Sequence, residues 1–156
     1  MPARIVMAHD DEAFVIAATV ALRNAGYSIV TFTDSMLALE ALLAARSVEL
    51  LITRIEFASG KPNGIALARM GRAKRPGMKV VFTARPEFAK DAEGLGAFLP
   101  LLPDATDLVA NVARLLWDDT ELHAGYEELA EGAGRDGGRR ASDGAWRRGQ
   151  GRNKVE

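Results

Sequence analysis

The sequence contains no cysteine. That excludes a disulfide framework, a thiolate nucleophile and a Cys-ligated metal, and it gives no support to redox chemistry. A membrane span is missing as well. The longest mostly apolar run, 14–22, falls far short of the roughly 20 residues a transmembrane helix needs. Asp10 and Asp11 also interrupt the N-terminus before a signal-like core can form. These absences predict a soluble, unexported, cytoplasmic chain with no membrane partner. Neither a P-loop nor a Gly-x-Gly-x-x-Gly segment follows the first apolar stretch, which counts against a nucleotide binder. Strong net charge is lacking too: the formal value is -1, but from Glu131 onward there are seven Lys/Arg against four Asp/Glu, leaving the rest at -4.

What the sequence does contain is enough apolar material for one domain: 156 residues, 48% of them hydrophobic, build a single core with little to spare. Two periods alternate along it. Arg4-Ile5-Val6-Met7-Ala8 is a short apolar strand closed by His9-Asp10-Asp11-Glu12. Phe14, Ala17, Ala18, Ala21 and Leu22 then share one helical face up to Gly26, a residue suited to the position just past a helix end. Residues 27–32 form a second, aromatic and β-branched strand, and Thr33-Asp34-Ser35 offers N-caps for a helix through Leu37, Leu39, Leu42 and Leu43.

Residues 49–55 (Glu-Leu-Leu-Ile-Thr-Arg-Ile) read as a central strand buried on both faces. A loop over 56–64 follows, with Asn63 capping a helix to about Arg75. The rest is a strand over 79–83, a short helix over 86–95, a strand over 97–99, and a last helix capped by Asp104 or Thr106 and carrying Leu108, Val109, Val112, Leu115 and Leu116. Five βα units imply parallel strands with right-handed crossovers and helices on both faces. The expected fold is a flavodoxin-like (βα)5 three-layer sandwich with a five-stranded parallel sheet. The third strand delivers Arg54 to the sheet's carboxyl edge, where ligands of such folds bind.

Asp10-Asp11-Glu12 after strand one, Gly64 after the third-strand loop, Thr83-Ala84 after strand four and Phe98-Leu99 in strand five resemble the receiver domain of bacterial two-component response regulators. The likeness covers roughly residues 3–117. The loop from Ser59 to Arg69 is similar to a subgroup of single-domain receivers with a slightly lengthened loop. The resemblance implies phosphoryl transfer from a histidine kinase to an aspartate at the end of strand three, where this sequence has Arg54. It maps the magnesium-binding acidic pair onto Asp10 and Asp11, the hydroxyl switch onto Thr83 and the aromatic switch onto Phe98. The family's lysine falls at Leu101 or Leu102, neither of which is basic.

An acyl phosphate requires a carboxylate nucleophile, and a guanidinium, cationic at any working pH, supplies none. Phosphoryl transfer also relies on positive charge at the equatorial oxygens, yet here the lysine position is aliphatic. No phosphoacceptor, no catalytic residue and weak or absent Mg²⁺ binding are therefore expected: a degenerate receiver that acts without phosphorylation through a histidine kinase or another signalling protein. Arg54 is expected to stand in for the metal, bridging Asp10 and Asp11 in forked hydrogen bonds. Simpler roles compete with each assignment. Asp10 and Asp11 suit the first turn of helix one, Arg54 suits solvent, Thr83 suits a local hydrogen bond and Phe98 suits the core. His9 and His123 have no neighbouring His or Cys and do not read as metal ligands or catalysts. A regulator phosphorylated at a non-standard site and a small-ligand binder at the sheet edge are the competing functions.

The interval from Thr83 to Phe98 is short for a receiver, so helix four has lost about a turn. Helix 4, strand 5 and helix 5 form the face through which receivers generally dimerise or touch effectors. A homodimer through that face is expected, with Leu99-Pro100-Leu101-Leu102-Pro103 the exposed candidate. The domain is assigned to 1–117, a helical extension to 118–130, and a disordered Gly/Arg-rich tail to 131–156, which has too few aliphatics to order itself. Arg139-Arg140 and Arg147-Arg148 beside Trp146 are too weak a basic cluster to indicate nucleic acid.

Overall fold

The structure, a computed structural model, describes residues 3–117. The expectations for 118–130 and 131–156 fall outside those residues. The elements alternate as the periodicity requires: β1 (Arg4–Ala8), α1 (Glu12–Asn24), β2 (Ser28–Phe32), α2 (Ser35–Ala44), β3 (Leu50–Thr53), α3 (Gly64–Lys74), β4 (Lys79–Thr83), α4 (Ala89–Ala92) and β5 (Ala97–Leu99). A fifth helix, α5, covers 105–117. All strand pairs are parallel and the order is β2-β1-β3-β4-β5, the flavodoxin-like arrangement with its switch point between β1 and β3.

Strand alternation divides the core in two. Val6, Ala8, Leu51, Val80 and Phe82 face one way and pack with Ala38, Leu39 and Leu42 of α2, Leu67 and Ala68 of α3, and Ala92 of α4. Ile5, Met7, Leu50, Ile52 and Val81 face the other way, against Phe14, Ala18 and Leu22 of α1 and Leu108 and Val112 of α5. With successive side chains on opposite faces, the central strands are apolar on both, so β3 is buried at every position.

The helix starts follow side-chain chemistry. Asp11, Asp34 and Asn63 each accept a backbone N–H of the first turn, from Phe14, Met36 and Ala66 respectively, which satisfies donors with no partner inside the helix. The backbone carbonyl of Asp104 accepts from Leu108 N at 2.9 Å, placing Asp104 at the cap and Thr106 inside α5. The stretch 86–95 is more broken than expected. Residues Pro86–Phe88 form a 3₁₀ turn before the four-residue α4, and Gly94 ends the segment at φ +81°, a left-handed conformation that glycine adopts at little cost.

Two glycines are fixed by close approach. A Cβ at Gly64 would stand 1.8 Å from the backbone oxygen of Arg54, and one at Gly96 would stand 2.3 Å from that of Val80. Gly64 N also donates to Ile55 O at 2.9 Å. The long β3–α3 loop is thereby drawn back against the end of β3.

Candidate functional site at the carboxyl edge of the sheet

β1, β3 and β4 run in register, with Ala8 beside Thr53 and Thr53 beside Phe82. One residue further on each chain stand His9, Arg54 and Thr83. The backbone continues the ladder there: Arg54 N donates to Ala8 O at 3.1 Å and His9 N to Phe32 O at 3.0 Å. β3 ends at Thr53, so Arg54 is the first residue beyond it. His9, Arg54 and Thr83 each lie two positions after Met7, Ile52 and Val81, which share the α1/α5 face. Alternation puts Thr83 on that face, and His9 joins it through its ring contact with Phe14 of α1.

His9 is fully buried. Its Nδ1 accepts the Asp11 N–H at 3.1 Å, which puts the proton of the neutral ring on Nε2. The ring packs on Phe14 with centroids 4.6 Å apart. Burial lowers its pKa; the Leu101 carbonyl opposes that by favouring the protonated form, and the charge of Arg54 reinforces it. Nε2 nevertheless has no partner at hydrogen-bonding geometry, so the Leu101 carbonyl acts on the ring without closing a true bond. Nothing in the sequence around His9 marks it as a metal ligand or catalyst. The signal it carried was its place directly after β1, level with Arg54.

Arg54 reaches Asp10: its Nη1 donates to Asp10 Oδ1. The expected bridge to both carboxylates is corrected in part, because the Asp11 carboxylate is the N-cap of α1, accepting from Phe14 N at 2.9 Å. Helix geometry claims Asp11 before Arg54 can. The Arg54–Asp10 pair is also not a buried lock, since the two side chains are 21% and 47% exposed. A pair in that setting contributes at most about 1 kcal/mol.

Arg54 Nε is buried without a partner, and so is Thr83 Oγ1. The local hydrogen bond expected for Thr83 is therefore not formed. Each unsatisfied buried polar atom costs about 1–3 kcal/mol. Phe98 is partly buried against the α2/α3 core. Leu101 is half-buried and Leu102 is 52% exposed.

The loops around this edge are tied by exposed ion pairs. Arg85 spans from Glu56, at 2.5 Å, to Glu87, at 3.1 Å, with its guanidinium 5.7 Å from the centre of the Phe88 ring. Lys61 meets Asp34 at 2.9 Å and lines a cleft of about 190 Å³ together with Asp10, Thr33, Asp34, Ser35, Phe57 and Ala58. Among the described residues no group of three or more His, Cys, Asp or Glu side chains is arranged to hold a metal ion.

No family sequence model and no characterised protein sequence matches the chain. Solved structures do. A CheY-like response regulator receiver domain from Methanospirillum hungatei superimposes with a TM-score of 0.67 at 20% identity, over 78% of this chain and 99% of that one. A response regulator receiver protein from Sinorhizobium medicae gives 0.67 at 23% identity, over 74% and 94%. The receiver domain of the hybrid histidine kinase CckA gives 0.61 at 25% identity, over 72% and 98%. The chain is similar to these along nearly their whole length, and its fold is that of CheY-like receiver domains.

Proposed function

We propose that the protein is a phosphorylation-independent, receiver-like module of a two-component phosphorelay that acts by protein–protein contact rather than as an enzyme. One observation carries the reading: on a receiver fold, the residue immediately after β3 is Arg54, with a guanidinium held by Asp10. A cation there offers no oxygen to a phosphoryl group.

The donor set also does not fit the magnesium ion that the family resemblance implies. Of the two carboxylates, Asp10 is engaged by Arg54 and Asp11 by a helix N-terminus, and a third, cationic side chain stands where a ligand would be needed. Magnesium binding is accordingly weak or absent. The contact surface is the face of α4, β5 and α5, centred on Leu101 and the exposed Leu102, with a histidine kinase or another phosphorelay protein as partner and self-association through the same face. Among the described residues no helix is long and apolar enough to cross a membrane, in keeping with a cytoplasmic setting.

A pull-down from cell lysate with the full chain tests the reading, run with and without acetyl phosphate and Mg²⁺. The expected result is capture of the same histidine kinase or phosphotransfer protein under both conditions, and its loss when Leu101 and Leu102 are both changed to Ser. Capture that depends on acetyl phosphate would overturn it.

A further inference from the structure

Charge is unevenly spread over the domain. Between Glu56 and Glu87 there are seven Lys/Arg and no Asp/Glu, while the other described residues carry six Lys/Arg against twelve Asp/Glu. Lys61 and Arg85, toward the ends of that stretch, meet Asp34 and Glu56. Arg69, Arg72, Lys74 and Arg75, on α3 and at its end, have no carboxylate partner among the described residues. Three of them are held in place by carbonyls: Arg72 Nε donates to Met78 O at 3.0 Å, Lys74 Nζ to Leu43 O, and Arg75 to Leu42 O and Ala45 O. Those bonds use one of three N–H groups on Lys74 and two of five on Arg75, so donors and full charge remain. Met70 stands one turn before Lys74 on the same side of α3 and is 43% exposed, and Leu43, whose carbonyl Lys74 reaches, is 37% exposed. Two apolar side chains therefore sit within a frame of cations.

We propose that this α2–α3 surface docks an acidic amphipathic helix of a partner protein, its apolar stripe on Met70 and Leu43 and its carboxylates on Arg69, Lys74 and Arg75. Charge sets the sign of the partner: a carboxylate meets guanidinium and ammonium donors with no acid of α3 to repel it. Glu40, the one acid on α2, stands a turn before Leu43 and repels a carboxylate there, which directs the partner's acids toward α3. The apolar side chains set its shape. A helix carries apolar and acidic residues side by side at one-turn spacing, as Met70 lies between Arg69 and Lys74 here, and the flexible methionine adapts to the chain that covers it. A nucleic acid fits less well. Neither α2 nor α3 has an aromatic residue on which a base could stack, and a phosphate backbone offers nothing to Met70 and Leu43. The surface does not depend on the signalling reading and includes neither Leu101 nor Leu102.

The test is fluorescence anisotropy of the full chain with a labelled synthetic peptide of Leu, Glu and Ala arranged as an amphipathic helix. Its controls are the same peptide with Lys in place of Glu, a scrambled peptide of the same composition, and a DNA duplex of random sequence. Saturable binding is expected for the acidic amphipathic peptide and not for the controls. Arg69→Glu reverses an exposed charge and should raise the Kd about tenfold. Met70→Ser removes apolar area from the contact and should raise it by about the same factor. Both side chains are exposed, so both variants should fold, as circular dichroism would verify. No saturable binding, equal binding of the Lys or scrambled peptide, tighter binding of the duplex, or an unchanged Kd in both variants would each overturn the proposal. Self-association of the chain alone that Arg69→Glu abolishes, read by sedimentation, would overturn it as well and assign the surface to a second copy.

Discussion

Thr53 and Thr83 are both completely buried at strand ends, one residue apart in sheet register, yet they belong to different regions. Thr53 closes the row of Ala8 and Phe82 on the α2/α3 face, and its hydroxyl donates to the Arg54 carbonyl at 2.7 Å. Thr83 lies on the α1/α5 face, one residue past the register that ends β1 and β3, level with His9 and Arg54, and its hydroxyl has no partner. The first row is finished internally: apolar side chains and one satisfied hydroxyl. The second leaves three polar atoms open. The same sheet therefore ends with its polar groups satisfied on one face and with unpartnered ones on the other.

The largest effect expected is on the contact that seats the loop over both rows. Gly64→Ala drives a methyl into the Arg54 carbonyl, and backbone cannot yield there as a flexible side chain would. It should cost about 3 kcal/mol, the upper end of overpacking penalties, read as a lowered urea midpoint at unchanged slope. The two threonines come next. Thr53→Val deprives a carbonyl of its donor and should destabilise by about 1 kcal/mol, whereas Thr83→Val removes an unpaired hydroxyl and should be neutral or stabilising. Equal losses in the two variants, measured side by side by urea denaturation in phosphate-free buffer, would erase the distinction between the rows.

The pH dependence sharpens it further. His9 has a folded pKa below its ordinary value, chiefly through burial, so below about pH 6.5 the unfolded chain binds a proton that the folded chain resists. Its contribution to stability is complete above that pH and declines on acidification toward the lower folded pKa. His9→Gln should flatten the dependence of the urea midpoint between pH 7.5 and 5.5. The smallest effect is expected at the solvent side of the row: Asp10→Asn should change stability by less than about 1 kcal/mol, because the ion pair it weakens is exposed.

Much of the fold was legible because the apolar period switches cleanly between strand and helix. β1 and β4 begin and end where the sequence places them, and Asn63 caps α3 as its position suggests. Arg54 was legible as the anomaly of the edge for the same reason: a buried strand must deliver its next residue there. The division of labour between Asp10 and Asp11 was not legible, since adjacent carboxylates look alike until a helix fixes which of them faces its amides. The burial of His9 was hidden as well. A histidine beside two acids reads as surface, and only the pairing of β1 with β3 brings it level with Arg54. Another device depended on distance. Lys74 and Arg75, at the end of α3, donate to the carbonyls of Leu43, and of Leu42 and Ala45, at the end of α2. That helix has no basic residue of its own in its last turn.

The central claim, a receiver fold whose reaction position holds a cation instead of a nucleophile, is tested most directly by intact-mass spectrometry of the purified full chain after incubation with acetyl phosphate and Mg²⁺. The mass is expected to stay that of the unmodified chain. Addition of one phosphoryl group, labile to hydroxylamine as an acyl phosphate is, would contradict it.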